Sequence, residues 1–145
     1  LAVNVSASQL AQPAFVNSVA QALGRHHAPA DKLKLELTES MVMHDVDSAL
    51  SALRALKDLG LSLSLDDFGT GYSSLSCLHE LPVNSVKIDK SFISQLGDSQ
   101  YHRVLVEATL RVAQALDLGT VAEGIETREQ AEMVAGEVEL VELQR

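Results

Sequence analysis

Five short runs that alternate apolar and polar residues, with starts about 25–35 residues apart, constrain this chain more than any other feature. They lie at 1–5, 33–38, 61–66, 85–89 and 120–123. Helical patterns fill the intervals. Residues 13–23 carry Val16, Val19, Ala20 and Leu23 at helical spacing, with Pro13 suited to a first turn and Gly24 to a stop. Residues 47–59 place Leu50, Leu53 and Leu56 on one side and end at Gly60. A short helix is expected at 74–81, with Cys77 as a small buried residue, and the longest at 99–118. Residues 127–135 form another, capped by Thr127, with Glu129 and Gln130 in its first turn and Gly136 as its stop. Strand and helix alternate throughout, which predicts an α/β fold with parallel strands.

The alternation within the strands selects the architecture. Leu33, Leu35 and Leu37 share one face, and Lys34, Glu36 and Thr38 the other. Leu61, Leu63 and Leu65 oppose Ser62, Ser64 and Asp66, while Val86 and Ile88 oppose Lys87 and Asp89. Central strands of a doubly wound sheet are covered by helices on both faces and read as nearly continuous apolar runs. One apolar and one polar face suit a barrel whose helices lie outside and whose polar groups line the mouth. Five strands do not close an eight-stranded barrel. The expectation is therefore a modified TIM-like (β/α)8 barrel, here incomplete, with about five to six strand–helix units.

Composition removes several function classes. A net charge of −9 opposes binding of a nucleic-acid polymer, which needs Lys and Arg to displace counterions. A single cysteine excludes an internal disulfide framework and a cysteine-based zinc site. The five histidines show no zinc-ligand spacing. Charged residues recur too often for a membrane span, and a cytoplasmic location is expected.

Asn4, Glu36, Asp66, Asp67, Lys87, Asp89 and Glu123 fall at or near the C-terminal ends of the expected strands, where barrel active sites form. Each alone has an ordinary structural reading. An Asp-Asp pair caps turns, Glu36 can be a paired interior charge, and Lys87 and Asp89 can neutralise each other. Their coincidence at consecutive strand ends points to chemistry. Carboxylates with one amide oxygen make a hard donor set suited to Mg²⁺ or Mn²⁺. Lys87 stands among them as a cation, or as a proton acceptor if metals lower its pKa. Carboxylates and a lysine around two metal ions suit phosphoester hydrolysis.

At these same positions the sequence resembles the EAL domain family, phosphodiesterases of the bacterial messenger cyclic di-GMP. The matching segments are Val3-Asn4-Val5-Ser6, Glu36-Leu37-Thr38-Glu39, Asp66-Asp67-Phe68-Gly69-Thr70-Gly71-Tyr72-Ser73-Ser74, Val86-Lys87-Ile88-Asp89 and Ala122-Glu123-Gly124-Ile125-Glu126. The resemblance runs from Leu1 to about Met133 and implies hydrolysis of cyclic di-GMP to linear pGpG with Mg²⁺ or Mn²⁺. It implies that Asn4, Glu36, Asp66 and Glu123 are metal ligands and that Asp67 binds a second ion. Lys87 is similar to the lysine that contacts the attacking water, and the general base stays open between Lys87 and Glu123. Glu39 is similar to the residue that holds the loop 67–74, in which Gly69, Thr70 and Gly71 lie. Asp89 and Glu126 are expected on the substrate side.

Two departures accompany the match. The family's signature Glu-Ala-Leu strand belongs upstream of Leu1, and the closing strand, expected at 138–141, is followed by Glu142-Leu143-Gln144-Arg145, which departs from the family pattern. The chain is thus expected to be a partial EAL domain over 1–145. By family habit a GGDEF or sensor domain precedes it, and the region 99–118 resembles a homodimer contact. The rival reading is an inactive EAL domain that serves as a cyclic di-GMP receptor or interaction module.

Overall fold

The computed structural model describes residues 1–69, 75–136 and 141–144, without the side chains of 75–77 and 141–144. Six strands form one sheet: β1 (Ala2–Asn4), β2 (Lys34–Thr38), β3 (Ser62–Phe68), β4 (Ser85–Ile88), β5 (Gly119–Glu123) and β6 (Val141–Gln144). Every neighbouring pair is parallel and the order is strictly sequential, β1 to β6. Parallel crossovers are right-handed, so an order that never reverses carries every connection across the same face. A doubly wound sheet needs a reversal. The sheet is therefore the wall of an incomplete TIM-like barrel, with β1 and β6 at its edges.

The outer face is the core. Leu35, Leu37, Leu63, Leu65 and Val86 lie under α4 (Val46–Asp58), whose Leu53 and Leu56 are fully buried. A second cluster joins Ile88 and Ala122 to Val106 and Leu110 of α6 (Gln100–Ala115) and Val134 of α7 (Arg128–Ala135). Full burial of each such leucine or isoleucine is worth about 1.5–3 kcal/mol. The inner face carries Lys34, Glu36, Ser62, Ser64 and Lys87, which with Val121 line an open cavity of about 460 Å³. No helix among the described residues is long and apolar enough to cross a membrane.

Helix ends follow local chemistry. Asp45 caps α4 through the Ser48 amide, and Ser99 caps α6 through that of His102. Thr127 and Gln130 form a reciprocal capping box on α7. Helix α2 (Phe15–His26) does not stop at Gly24. It runs two residues on, to His26, and is capped by His27 (φ 50°), whose amide and that of Ala28 reach back to the carbonyls of Gly24 and Leu23. Residues 75–80 form a 3₁₀ turn, Leu75–Glu80, instead of an α-helix. Three short helices fell outside the periodicity: α1 (Ala7–Leu10), α3 (Glu39–His44) and α5 (Lys90–Ser94). All three sit just after strand ends, on the rim that carries the candidate residues.

The last strand among the described residues is β6, Val141–Gln144, and of the expected 138–141 only Val141 is described. The triplet Val-Glu-Leu occurs twice in succession, at 138–140 and 141–143, so alternation alone cannot select between them. The second opens β6, which pairs Val141 with Thr120 and Gln144 with Glu123. Residues 137–140 lie outside the described residues.

Candidate active site

In a regular strand, Asp66 and Asp67 would point to opposite faces. Strand β3 breaks that rule. Leu65 pairs with Val86 but Phe68 pairs with Ile88, so β3 carries an extra residue at a bulge. Asp67 absorbs it in the left-handed region, at φ 55°, a conformation that aspartate tolerates better than most residues. The Asp67 amide donates to Asp66 Oδ1 at 3.0 Å. The bulge brings Asp67 into the field of the mouth. Burial pushes its carboxyl above the ordinary aspartate range, reinforced by Asp66, Asp89 and Glu123, while Lys87 opposes them.

Lys87, from β4, is the centre of the cluster. Its Nζ lies 2.6 Å from Glu123 Oε1, 3.2 Å from Asp66 Oδ2 and 3.6 Å from Glu36 Oε2. These partners come from β5, β3 and β2, so the ammonium ties four strands together. The lysine side chain is 11% exposed. Burial alone would lower its pKa, yet its hydrogen bonds to Glu123 and Asp66, with their charges, hold it well above the usual lysine range. Its carboxylate partners thus favour the charged ammonium form of Lys87. It does not pair with Asp89, whose Oδ1 instead accepts from the Ser91 amide and caps α5.

The ladder supports this cluster from below. Asn4 stands beside Glu36, and Glu36 beside Ser64. Ser85 Oγ donates to Ser64 Oγ at 2.9 Å in a buried pair that gives each hydroxyl a partner. This serine floor escaped the sequence reading for Ser85, although Ser62 and Ser64 marked the polar face.

Further residues define the rim. Glu39, the first residue of α3, is buried, and its Oε2 accepts from the Gly69 amide at 2.6 Å. Thr70 and Gly71 lie outside the described residues. Glu126 is exposed beyond β5, with its amide held by Gln130, and does not join the Lys87 cluster. Gly124 was not singled out by sequence, yet its backbone is demanding. It has φ 72°, and a Cβ there would meet Lys90 Cβ at 2.6 Å. Only glycine lets the end of β5 pass this close to the start of α5. Its signal was its place directly after Glu123.

The mouth is rich in oxygen donors. Glu36, Asp66 and Glu123 surround one ammonium, Asp67 lies in the field of Asp66, Asp89 and Glu123, and Asn4 adds an amide oxygen in register with Glu36. Among the described residues no three acidic, imidazole or thiol groups close on a common ion point, while Glu36, Asp66 and Glu123 converge on Lys87. The donor chemistry nonetheless fits hard divalent cations, since it contains only oxygen and carries more negative charge than Lys87 neutralises.

The EAL domain family model matches residues 1–136. MucR of Pseudomonas aeruginosa, named a bifunctional diguanylate cyclase/cyclic di-GMP phosphodiesterase, is 44% identical over 134 residues, which are 92% of this chain and 20% of that protein. The solved MucR phosphodiesterase in complex with c-di-GMP superimposes with a TM-score of 0.87 at 44% identity, over 93% of this chain and 55% of that one. A manganese/c-di-GMP complex of BlrP1 from Klebsiella pneumoniae superimposes with a TM-score of 0.82 at 30% identity, over 92% of this chain and 34% of that one. The chain spans about a fifth of the length of the curated relatives it matches. With a sequential parallel sheet, an acidic mouth at the strand ends and these matches, the chain belongs to the EAL domain family.

Proposed function

We propose that this chain is the catalytic part of a metal-dependent phosphodiesterase that hydrolyses cyclic di-GMP to linear pGpG. The observation that carries this reading is the convergence of Glu36, Asp66 and Glu123 on Lys87 at consecutive strand ends of an EAL domain. In this reading Asn4, Glu36, Asp66, Glu123 and Asp67 hold two Mg²⁺ or Mn²⁺ ions. When bound, the ions polarise the phosphate and offset the charge of the mouth, which a dianionic substrate could not otherwise approach.

The residues divide the remaining work. Lys87, kept charged, orients the attacking water and steadies negative charge on the phosphate oxygens. Glu123, 2.6 Å from that ammonium, accepts the water's proton. The water oxygen bonds to phosphorus, one ribose–phosphate P–O bond breaks, the departing ribose oxygen takes up a proton from solvent, and the ring opens to pGpG. Glu39 holds Gly69, and Asp89 and Glu126 face the substrate side of the rim.

The protein works in the cytoplasm, where a GGDEF or sensor domain precedes this one, and as a homodimer. Tyr101 and Val104, exposed on α6, support that pairing. The test is chromatographic detection of pGpG from cyclic di-GMP with Mn²⁺, using Lys87→Ala as control. Product that disappears in the variant supports the reading. Saturable binding of cyclic di-GMP without product would overturn it in favour of a receptor module.

A further inference from the structure

Asp66 and Asp67 carry like charges on adjacent residues, and Asp67 is held in a left-handed conformation. Something must keep this segment from relaxing. Gly69, two residues on, is gripped from two sides. Its amide donates to Glu39 of α3, while a Cβ on Gly69 would stand 3.1 Å from both Cε2 and Cζ of Phe92 in α5. With φ 100° and that ring filling the side where a Cβ would stand, Gly69 is backed by α5.

Phe92 is itself backed. Its ring lies 5.4 Å from that of His102, tilted by 57°. His102 Nδ1 is in turn 2.7 Å from Ser99 Oγ, the cap of α6. Phe92 also packs against the cluster of Ile88, Ile93 and Leu96. The stop against Gly69 is therefore anchored in α5 and α6, whereas the hydrogen bond comes from α3.

The geometry points to Phe92 as a positioning residue, the steric half of a clamp with Glu39 that fixes Asp66 and Asp67 through Gly69. What the aspartates do once positioned rests on the function proposed above; the clamp does not. The test is residue-resolved hydrogen exchange of the Gly69 amide in wild type, Phe92→Leu and Phe92→Tyr, with Mn²⁺ titration and turnover on the same samples. In Phe92→Leu the Gly69 amide exchanges about tenfold faster while Leu63 and Leu65 keep their protection. Mn²⁺ affinity and kcat fall about tenfold with KM little changed, as for residues that orient metal ligands. Phe92→Tyr, which keeps the ring, restores all three.

Adding Gly69→Ala gives a second arm. Its effect on Mn²⁺ affinity is smaller in the Phe92→Leu background than in wild type, because the ring it strikes is gone. Wild-type exchange at Gly69 in folded Phe92→Leu would overturn the clamp, whatever the Mn²⁺ result. A wild-type protein that neither binds Mn²⁺ nor turns over would instead defeat the proposed function, and the exchange data would still decide the clamp.

Discussion

Within β2, Glu36 and Leu37 are consecutive residues on opposite faces of the sheet. Leu37 is fully buried under the helices, while Glu36 faces the cavity and reaches Lys87. The same division runs through β3 and β4, where Leu65 and Val86 face the core and Asp66 and Lys87 face the mouth. The outer face stabilises by removing apolar surface from water. The inner face gathers three carboxylates around one ammonium with Asp67 in their field, an arrangement that like-charge repulsion opposes. Stability and chemistry are thus separated by the thickness of one sheet, and substitutions should sort by face.

The largest effect expected on the inner face is from Lys87→Met. It leaves Glu36, Asp66 and Glu123 without their cation, and removing one partner of a buried ion pair costs about 3–5 kcal/mol. Urea unfolding of the metal-free protein checks this, and Mn²⁺ should recover part of the loss without restoring turnover. Gly124→Ala comes next. A left-handed alanine pressed on Lys90 costs about 1–3 kcal/mol, read as a lower melting temperature, and lowers kcat by displacing Glu123.

Asp67 makes the comparison depend on pH. Its folded carboxyl holds its proton more tightly than that of the unfolded chain, because burial and the neighbouring carboxylates raise its pKa. That contribution is fully present below the ordinary aspartate value and is lost as pH rises through the raised folded value. Metal-free melting curves from pH 4 upward should show this decline, and Asp67→Asn should flatten it. The smallest effect belongs to Arg128→Ala. Its pair with Glu132 spans 2.7 Å, about the length of the Lys87–Glu123 contact, but both side chains are mostly exposed. Its loss should cost under about 0.5 kcal/mol in the same urea titration.

Much of this division was legible in the sequence because the period of a strand assigns its residues to faces. Glu36, Asp66, Lys87 and Glu123 could be gathered on one rim from alternation and strand ends alone. Asp67 was placed there by its strand end alone, since alternation sends it outward and the bulge opposite Val86 and Ile88 returns it. The rim helices α1, α3 and α5 are too short, at four to six residues, to show a helical period. For that reason Phe92 and its contact with Gly69 were invisible, as was the packing of Gly124 on Lys90. Gly24 misled because a helix interior tolerates glycine when a later residue, His27, supplies the left-handed turn.

The most direct test of the separation uses the two neighbours in β2. Urea unfolding and cyclic di-GMP turnover would be measured for Glu36→Gln and Leu37→Ala. Leu37→Ala should lose about 2–5 kcal/mol of stability while its folded fraction keeps near-wild-type turnover. Glu36→Gln should stay within about 1 kcal/mol of wild type, since it removes one charge from a crowded mouth, yet lose turnover by about a hundredfold. Equal destabilisation by both substitutions, or wild-type turnover in Glu36→Gln, would contradict the account.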